Sequence, residues 1–222
     1  MKKRLLWPGL VVGVAAVALG AQMLSGLGGN GGPPPAPLTE QAFFEDDVAP
    51  AHTPAQYDLT IVIYSDYQCG YCRQLDASMQ KLLQEDPRIR VIYRDWPLLG
   101  HGSAEAARAA IASQWQGKHA AFHQALMTLP ARLNPKTIRM AAEQAGVDWA
   151  RLEQDLEARK TDINRLLARN AAQAAQLGLA GTPGMLVGRY RVPGALDPQR
   201  LREVVRLARE ANAADARKTP PA

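Results

Sequence analysis

Residues 59–72, Leu-Thr-Ile-Val-Ile-Tyr-Ser-Asp-Tyr-Gln-Cys-Gly-Tyr-Cys, place a cysteine pair shortly after an apolar run. Residues 59–64 are rich in apolar and β-branched side chains, which predicts a strand buried on both faces. From Cys69 onward the apolar residues fall at helical spacing, and Asp86-Pro87 ends that helix. A second apolar run at 89–93, Ile-Arg-Val-Ile-Tyr, predicts the next strand. The stretch therefore predicts a β-α-β unit with the cysteines at the start of its helix.

Cys69 and Cys72 are the only cysteines in the chain, and their spacing indicates redox chemistry. A disulfide across two intervening residues closes too short a loop to stabilise a fold. At the first turn of the helix, free N–H groups and the helix dipole should lower the pKa of Cys69 from about 8.5. Cys72, one turn further in, should stay buried and protonated until it resolves a mixed disulfide at Cys69. Gly70 and Tyr71 are expected to set the redox potential.

Half of a zinc site and a pair of inert buried thiols are the alternative interpretations of the cysteine pair. A structural zinc site needs four ligands, and the remaining candidates are His52, His101, His119 and His123. His119 and His123 share an i, i+4 spacing, but the strand–CxxC–helix context favours redox chemistry. We therefore predict neither a metal nor another cofactor. Of these two histidines we expect one to be exposed and the other to pack in a helical region.

The sequence after the second strand is helical and then returns to strands. Residues 103–177 are rich in Ala, Gln and Leu without a strand-like run, which predicts an insert of four or five helices. The breaks between these helices fall at Gly117, Pro130, Pro135 and Gly146. Residues 186–192 predict a hairpin, and Asp197-Pro198 begins a last amphipathic helix that we expect to end at Ala211. The predicted order is β-α-β, helical insert, β-β-α.

The N-terminus has the features of a targeting segment. Met1–Arg4 is basic, and the apolar stretch over about residues 5–27 is long enough to span a bilayer. Ala18-Leu19-Gly20 also resembles a cleavage site. Residues 1–27 are therefore predicted to be either a cleaved signal peptide or an inner-membrane anchor, and both place the remainder in the periplasm. Residues 28–58 are predicted to form a Gly/Pro-rich linker and a lead-in to the domain.

The formal net charge of +5 does not indicate a protein that binds nucleic acid. Lys2, Lys3 and Arg4 account for three of these charges, and no acidic residue precedes Glu40. The rest of the chain is close to neutral. Binding to a phosphate backbone needs a clustered basic face, and the sequence does not require one. Nucleic acid is therefore not an expected partner.

Four segments resemble the DsbA-like family of thioredoxin-fold oxidoreductases, in the family's order and spacing over about residues 57–210. They are Tyr64–Cys72 at the active site, Arg94–Gly100 at the start of the helical insert, Gly181–Gly184 at the cis-proline loop and Val192–Ala195 before the last helix. The resemblance implies an α/β thioredoxin-like fold with a helical insertion. It places the domain at residues 59–211, and we expect residues 212–222 to form a disordered tail.

The resemblance also implies the surroundings of the cysteine pair. It implies a cis peptide bond before Pro183 and a Thr182-Pro183 loop that faces Cys69, whereas Gly-Thr-Pro-Gly alone is compatible with a plain turn. Backbone groups of this loop would pair with an extended substrate segment. Many relatives have an acidic residue six positions before the first cysteine, where this chain has Ile63. We therefore expect Cys72 to lose its proton to water or to another group, and more slowly than in those relatives.

The active-site features imply a general disulfide oxidoreductase. The Cys-Gly-Tyr-Cys sequence, with Thr182 before the proline, resembles the disulfide-isomerase side of the family. Those isomerases dimerise through a substantial N-terminal domain, and the roughly 20 residues between the spacer and Leu59 are too few to form one. A helical oligomerisation segment, as in ScsC-like proteins, is compatible with residues 39–48. An oxidase is therefore favoured over an isomerase or a reductase.

The expected partners follow from this reaction. They are exported proteins that contain cysteine and a membrane redox protein that recycles the pair. The alternative from another functional class is a non-catalytic, chaperone-like module that binds clients in an apolar groove near the cis-proline loop.

Overall fold

The computed structural model describes residues 41–46, 48–130 and 132–218. The predicted targeting segment, residues 1–27, and residues 28–40 and 47 of the predicted linker and lead-in lie outside the described residues. No helix within the described ranges combines the length and the apolar character that crossing a membrane requires.

The described part of the chain follows the predicted order of elements. The elements are α1 (Gln41–Phe44), β1 (Ala51–His52), β2 (Leu59–Ser65), α2 (Gly70–Glu85), β3 (Ile89–Asp95), α3 (His101–Ser113), α4 (His119–Thr128), α5 (Pro135–Gln144), α6 (Trp149–Ala158), α7 (Lys160–Gln176), β4 (Gly184–Val187), β5 (Tyr190–Pro193) and α8 (Pro198–Lys218). A short 3₁₀ helix, Gln114–Gln116, lies between α3 and α4. The helices α3 to α7 form the predicted insert, so the thioredoxin-like fold with its helical insertion is confirmed.

The strands form one mixed sheet in the order β1-β3-β2-β4-β5. β2 and β3 are parallel, with Ser65 opposite Asp95. β4 is antiparallel to β2, with Gly184 opposite Tyr64. Because β4 runs against β2, the loop before β4 and the turn after β2 lie at the same edge of the sheet. This is also the edge at which α2 begins.

Both faces of the sheet are covered, because β2 directs apolar side chains alternately to two cores. Val62 and Tyr64 pack against the helical insert, whereas Ile61 and Ile63 pack with α2 and α8. All four side chains are buried. Burial on both faces explains why this strand appears in the sequence as a continuous apolar run.

A buried arginine joins the lead-in before β2 to the domain. Arg94 in β3 is fully buried and forms an ion pair with Asp46, which follows α1. It also donates a hydrogen bond to the carbonyl oxygen of Phe43 at 3.2 Å. Arg169 in α7 contacts the same Asp46 carboxylate at 2.5 Å. The lead-in therefore packs on the domain as a helical turn, followed by the two-residue strand β1.

The helix α8 is longer than the sequence analysis predicted. We expected it to end at Ala211 and residues 212–222 to be disordered, but the helix continues to Lys218. The added turns include three alanines, which have the highest helix propensity. Arg189, in the β4–β5 hairpin, contacts Asp215 at 2.6 Å. Residues 212–218 are therefore helical, and the rest of the predicted tail lies outside the described residues.

Candidate active site

Cys69 is the N-cap residue of α2, directly before the first helical residue. Its φ and ψ of −76° and 117° are extended, so the chain turns into the helix at this point. The first amides of a helix have no acceptor within it, and the first turn of α2 contains no acidic residue. The Cys69 sulfur therefore lies at the positive end of a 16-residue helix.

The loop before β4 contacts Cys69. The Thr182–Pro183 peptide bond is cis, as the resemblance implied. The Cys69 thiol donates a hydrogen bond to the carbonyl oxygen of Thr182 at 3.3 Å. The pairing of β4 with β2 brings the loop to this place, because Gly184 lies opposite Tyr64. A backbone carbonyl of the loop thus lies directly beside the outer sulfur.

Cys72 lies one turn further into α2 and is 2% exposed. Its sulfur accepts a hydrogen bond from the backbone N–H of Asp66 at 3.5 Å. Burial raises the pKa of Cys72, and this hydrogen bond only partly opposes the effect. Both cysteines are free thiols in the structure. Cys72 is therefore a protonated inner thiol that needs a proton acceptor before it can react.

The residues between the two cysteines face solvent. Tyr71 is 67% exposed, and a Cβ atom at Gly70 would meet nothing within 4 Å. Leu98 and Leu99, on the loop after β3, are also exposed. The side chain of Gln68 donates a hydrogen bond to the carbonyl oxygen of Leu99 at 3.0 Å, which holds this loop near the cysteines. Exposed apolar side chains therefore lie on two segments that border the site.

Asp66, in the turn after β2, holds this turn against the loop that carries Leu98 and Leu99, and no role was predicted for it from the sequence. Its carboxylate is buried and accepts hydrogen bonds from the backbone N–H groups of Leu98 and Leu99 at 2.7 and 2.9 Å. It also accepts one from the Ser103 hydroxyl at 2.7 Å. The turn after β2 is thereby joined to the start of α3. An aspartate three residues before the first cysteine is the sequence signal that could have identified it.

A second group of buried polar side chains lies behind Cys72, and the sequence analysis did not identify it as part of the site. Oδ1 of Asp76 in α2 lies 3.2 Å from Nε2 of His123 in α4. Nδ1 of the same histidine lies 3.0 Å from the hydroxyl of Tyr67. Burial, followed by the charge of Asp95, raises the pKa of Tyr67 well above its ordinary value. The Tyr67 hydroxyl, the His123 ring and the Asp76 carboxylate therefore form one chain of buried polar contacts.

His119 and His123 are both buried, which corrects the expectation that one of them is exposed. The two rings stack with centroids 5.7 Å apart, and both contact the ring of Tyr93. Burial, with a smaller contribution from His123, lowers the pKa of His119 to about 3. α4 packs both rings against β3, so each is covered. Within the described ranges, no group of three or more His, Cys, Asp or Glu side chains is arranged to hold a metal ion.

The chain matches the family of DSBA-like thioredoxin domains over residues 60–206. Among curated proteins, it is 29% identical over 157 residues to the Na(+)/H(+) antiporter NhaA 1 of Salinispora arenicola. That match covers 70% of this chain and 24% of the antiporter. The chain thus spans about a quarter of the length of the curated relatives it matches.

Several solved structures are similar over three quarters of the chain. A thioredoxin-like oxidoreductase from Silicibacter pomeroyi is 38% identical with a TM-score of 0.74, covering 78% of this chain and 99% of that one. A periplasmic thioredoxin-like protein from Salmonella enterica serovar Typhimurium is 28% identical with a TM-score of 0.66, and the match covers 76% of this chain and 94% of that one. The thiol-disulfide exchange protein alpha-DsbA2 from Wolbachia pipientis is 25% identical with a TM-score of 0.70, and the match covers 74% of this chain and 88% of that one.

The family match extends over well over half of the chain and includes both cysteines and the cis-proline loop. The order of the strands and the helical insert agree with it. The chain therefore belongs to the family of DSBA-like thioredoxin domains.

Proposed function

We propose that this protein exchanges disulfides with exported proteins through the Cys69–Cys72 pair. The observation that carries the proposal is the position of the Cys69 sulfur, at the start of α2 and 3.3 Å from the Thr182 carbonyl oxygen. Cys72 lies one turn behind it, and both side chains are buried, with 8% of Cys69 and 2% of Cys72 exposed. Membership of the family supports thiol–disulfide oxidoreductase chemistry. The similar exchange protein from Wolbachia pipientis supports the same reaction class.

The reaction proceeds through a mixed disulfide at the outer sulfur. A substrate thiolate attacks Cys69 in the oxidised protein, the Cys69–Cys72 bond breaks, and Cys72 leaves with the electron pair and takes up a proton. A second substrate thiolate then attacks the substrate sulfur of the mixed disulfide and releases Cys69 as a thiolate. The substrate loses two electrons and the protein gains them. Amides at the start of α2 stabilise the departing Cys69 thiolate.

The cis-proline loop and the residues between the cysteines are the proposed substrate contacts. Thr182 and Pro183 offer backbone groups beside Cys69, where an extended substrate segment can pair with them. A Cβ atom at Gly70 would meet nothing within 4 Å, and the side chain of Tyr71 is 67% exposed. In this proposal Gly70 and Tyr71 also modulate the redox potential.

We favour the oxidase direction, because a helix that stabilises the Cys69 thiolate stabilises the reduced form. A stabilised reduced form makes the disulfide a stronger oxidant. A membrane redox protein would then restore the disulfide after each cycle. The periplasmic protein from Salmonella supports a periplasmic location, and residues 1–27 are the proposed signal peptide or membrane anchor.

Trapping of the mixed disulfide tests the proposed function. Cys72→Ser should accumulate a covalent adduct with a cysteine-containing peptide in its disulfide form, because the second sulfur is missing. Cys69→Ser is the matched control and should form little adduct, since the remaining thiol is buried. Alkylation of the reduced wild-type protein by iodoacetamide at mildly acidic pH should modify Cys69 and spare Cys72. Adduct formation at Cys72, or disulfide exchange retained by Cys69→Ser, would overturn the proposal.

A further inference from the structure

A small cavity lies directly behind Cys72, at the junction of α2, β2, β3 and α4. The side chains around it are Ile63, Ser65, Cys72, Leu75, Asp76, Met79, Tyr93, His123 and Met127. Apart from the thiol, the carboxylate of Asp76 and the imidazole of His123 are the lining side chains that can accept a proton. Ile63 occupies the position at which many relatives have an acidic residue, and it borders the same cavity.

The helix α2 places Asp76 within reach of Cys72. The two residues are four positions apart, which puts their side chains next to each other on one face of the helix. Both are buried, with 8% of Asp76 and 2% of Cys72 exposed. The cavity between them has a volume of about 10 Å³, close to the smallest space that holds one water molecule. Both side chains border this space, so a proton can pass between them through it.

We propose that Asp76 accepts the proton of the Cys72 thiol when Cys72 attacks a mixed disulfide at Cys69, and returns it in the reverse step. This inference rests on the proposed function and names the group that performs the proton transfer. Asp76 would thus replace the acidic residue that Ile63 does not supply. The acid reaches the same cavity from α2 instead of from β2.

Resolution of the mixed disulfide begins with a proton transfer. Cys72 gives its proton to the Asp76 carboxylate, and its sulfur attacks the Cys69 sulfur. The Cys69–Cys72 bond forms, the bond from Cys69 to the substrate sulfur breaks, and the substrate leaves as a thiolate with the electron pair. The protein is oxidised by two electrons and the substrate is reduced. In the reverse direction, protonated Asp76 returns the proton to Cys72 as it leaves Cys69.

His123 is the positioning residue for Asp76. Its Nε2 atom lies 3.2 Å from Oδ1 of Asp76, and the hydroxyl of Tyr67 lies 3.0 Å from its Nδ1 atom. The side-chain amide of Gln80 lies 3.5 Å from the same carboxylate oxygen. The titratable groups that surround this pair are Tyr67 before α2, Tyr93 and Asp95 from β3, and His119 from α4. The carboxylate is therefore held in one orientation toward the cavity.

The environment of Cys72 explains why an internal acceptor is needed. Burial raises the pKa of this thiol, so water alone would remove its proton slowly. The Asp66 N–H stabilises the thiolate after it forms, but it cannot take a proton. The carboxylate of Asp76, which lines the same cavity, can take this proton.

The reaction of the reduced protein with oxidised glutathione separates the two steps. Attack by Cys69 forms the mixed disulfide, and attack by Cys72 then releases reduced glutathione. Acid quenching followed by mass spectrometry measures both rates. Asp76→Asn should slow the second step at least tenfold at neutral pH, since positioned acid–base groups typically contribute about 10²–10⁴-fold. The first step should change by less than about twofold.

The direction in which the second-step rate changes in Asp76→Asn distinguishes proton transfer from a purely electrostatic role. Removal of a nearby negative charge favours the Cys72 thiolate, so electrostatics alone would make the second step faster in Asp76→Asn. In this variant the second rate should rise about tenfold per pH unit, because hydroxide must replace the lost base. The wild-type rate should depend less steeply on pH. A second-step rate in Asp76→Asn that equals or exceeds the wild-type rate at every pH would overturn the inference.

Two further variants complete the experiment. Ile63→Glu combined with Asp76→Asn should recover most of the second-step rate, because it restores an acid to the same cavity. Glu85→Gln is the matched control, because Glu85 is the last residue of the same helix, its side chain is 52% exposed, and it does not line the cavity. It should leave the second step within about twofold of the wild type. Equal slowing by Glu85→Gln and Asp76→Asn would show a general effect of the lost negative charge and contradict the inference.

The design also separates failure of this inference from failure of the proposed function. If the wild-type protein forms no mixed disulfide with glutathione, the proposed function fails. If the wild type completes both steps and Asp76→Asn is unimpaired, only the inference fails. If Asp76→Asn does not fold, Ile63→Glu alone decides the question. The second-step rate of Ile63→Glu should then lie within about twofold of the wild-type rate, because Asp76 already accepts the proton. Acceleration of tenfold or more would show that no acid accepts the Cys72 proton in the wild type.

Discussion

At the scale of single residues, the two cysteines differ because of what each sulfur contacts. Cys69 lies at the open end of α2 beside the Thr182 carbonyl oxygen, where a substrate can approach. Cys72 is enclosed and depends on the Asp66 N–H and on the cavity behind it. One helical turn thus separates the proposed reacting thiol from the proposed resolving thiol. The roles proposed for them rest on position, since the two side chains are chemically identical.

Replacement of Asp66 should destabilise the protein. In Asp66→Ala, the backbone N–H groups of Leu98 and Leu99 and the buried Ser103 hydroxyl lose their common acceptor. We expect the free energy of unfolding to fall by about 2–4 kcal/mol, measured by urea denaturation. Glu157→Ala is the control, because its side chain is 80% exposed, and it should change stability by less than about 0.5 kcal/mol. A loss below about 1 kcal/mol for Asp66→Ala would show that water replaces the carboxylate.

Asp95 should make stability fall as the pH rises. Burial, reinforced by Asp66 and opposed by the Tyr67 hydroxyl, raises the pKa of Asp95 from 3.8 to about 8. Between these values the unfolded chain is ionised at this residue while the folded protein keeps the proton. The folded state then binds more protons, so the free energy of unfolding decreases with increasing pH.

Asp95→Asn should remove this contribution. Between pH 3.8 and about 8, the slope of the free energy of unfolding should change by up to about 1.4 kcal/mol per pH unit, toward greater stability at high pH. Urea denaturation of both proteins at several pH values measures the slopes. Parallel curves for the two proteins across this window would contradict the prediction.

At the scale of secondary-structure elements, α2 connects the reactive end of the domain to its core. Its first turn carries the cysteines, its next turn carries Asp76, and its later apolar residues pack beneath the sheet with α8. The element that begins at Cys69 therefore also carries a buried acid four residues after Cys72. The helical insert completes this arrangement by supplying His123 from α4.

The lead-in before β2 is a second element whose attachment to the domain can be tested. Asp46→Ala should leave the guanidinium of Arg94 buried without its ion-pair partner. We expect a loss of about 3–5 kcal/mol in the free energy of unfolding, because the buried charge becomes uncompensated. α1 should also become more sensitive to limited proteolysis.

The control for Asp46→Ala is an exposed ion pair. Glu143→Ala removes a contact with Arg139 in which both side chains are more than half exposed. Its expected effect is below about 0.5 kcal/mol. Equal effects of the two substitutions would mean that the lead-in contributes little to the stability of the domain.

At the scale of the whole molecule, the redox state of the cysteines should change the global stability. If the protein is an oxidase, its reduced form is stabilised relative to the unfolded dithiol, and it should unfold at a higher denaturant concentration than the oxidised form. Each 30 mV by which the potential exceeds that of the unfolded pair corresponds to about 1.4 kcal/mol. Denaturation of both forms, together with equilibration against glutathione, measures the two quantities independently. A more stable oxidised form would instead indicate a reductase.

Much of the fold could be predicted from the sequence. The apolar run at 59–64, the helical spacing after Cys69 and the run at 89–93 each describe neighbours along the chain, and the structure has β2, α2 and β3 at these places. The end of α8 was predicted seven residues too early. There the alanine-rich continuation outweighed the lack of a core-facing apolar pattern.

The sequence by itself determined the β-α-β unit, the helical insert and a cysteine pair at the start of a helix, because spacing and periodicity are local properties. Only the tertiary structure decided what surrounds Cys72. His123 is 47 residues from Asp76 and 56 from Tyr67, and these three side chains meet because the insert folds back against α2. The sequence has Ile63 where many relatives have an acidic residue, so it did not indicate an acid near Cys72. In the structure the nearby acid is Asp76. It enters from another element, and only the packing of α2, β2, β3 and α4 shows that both positions border one cavity.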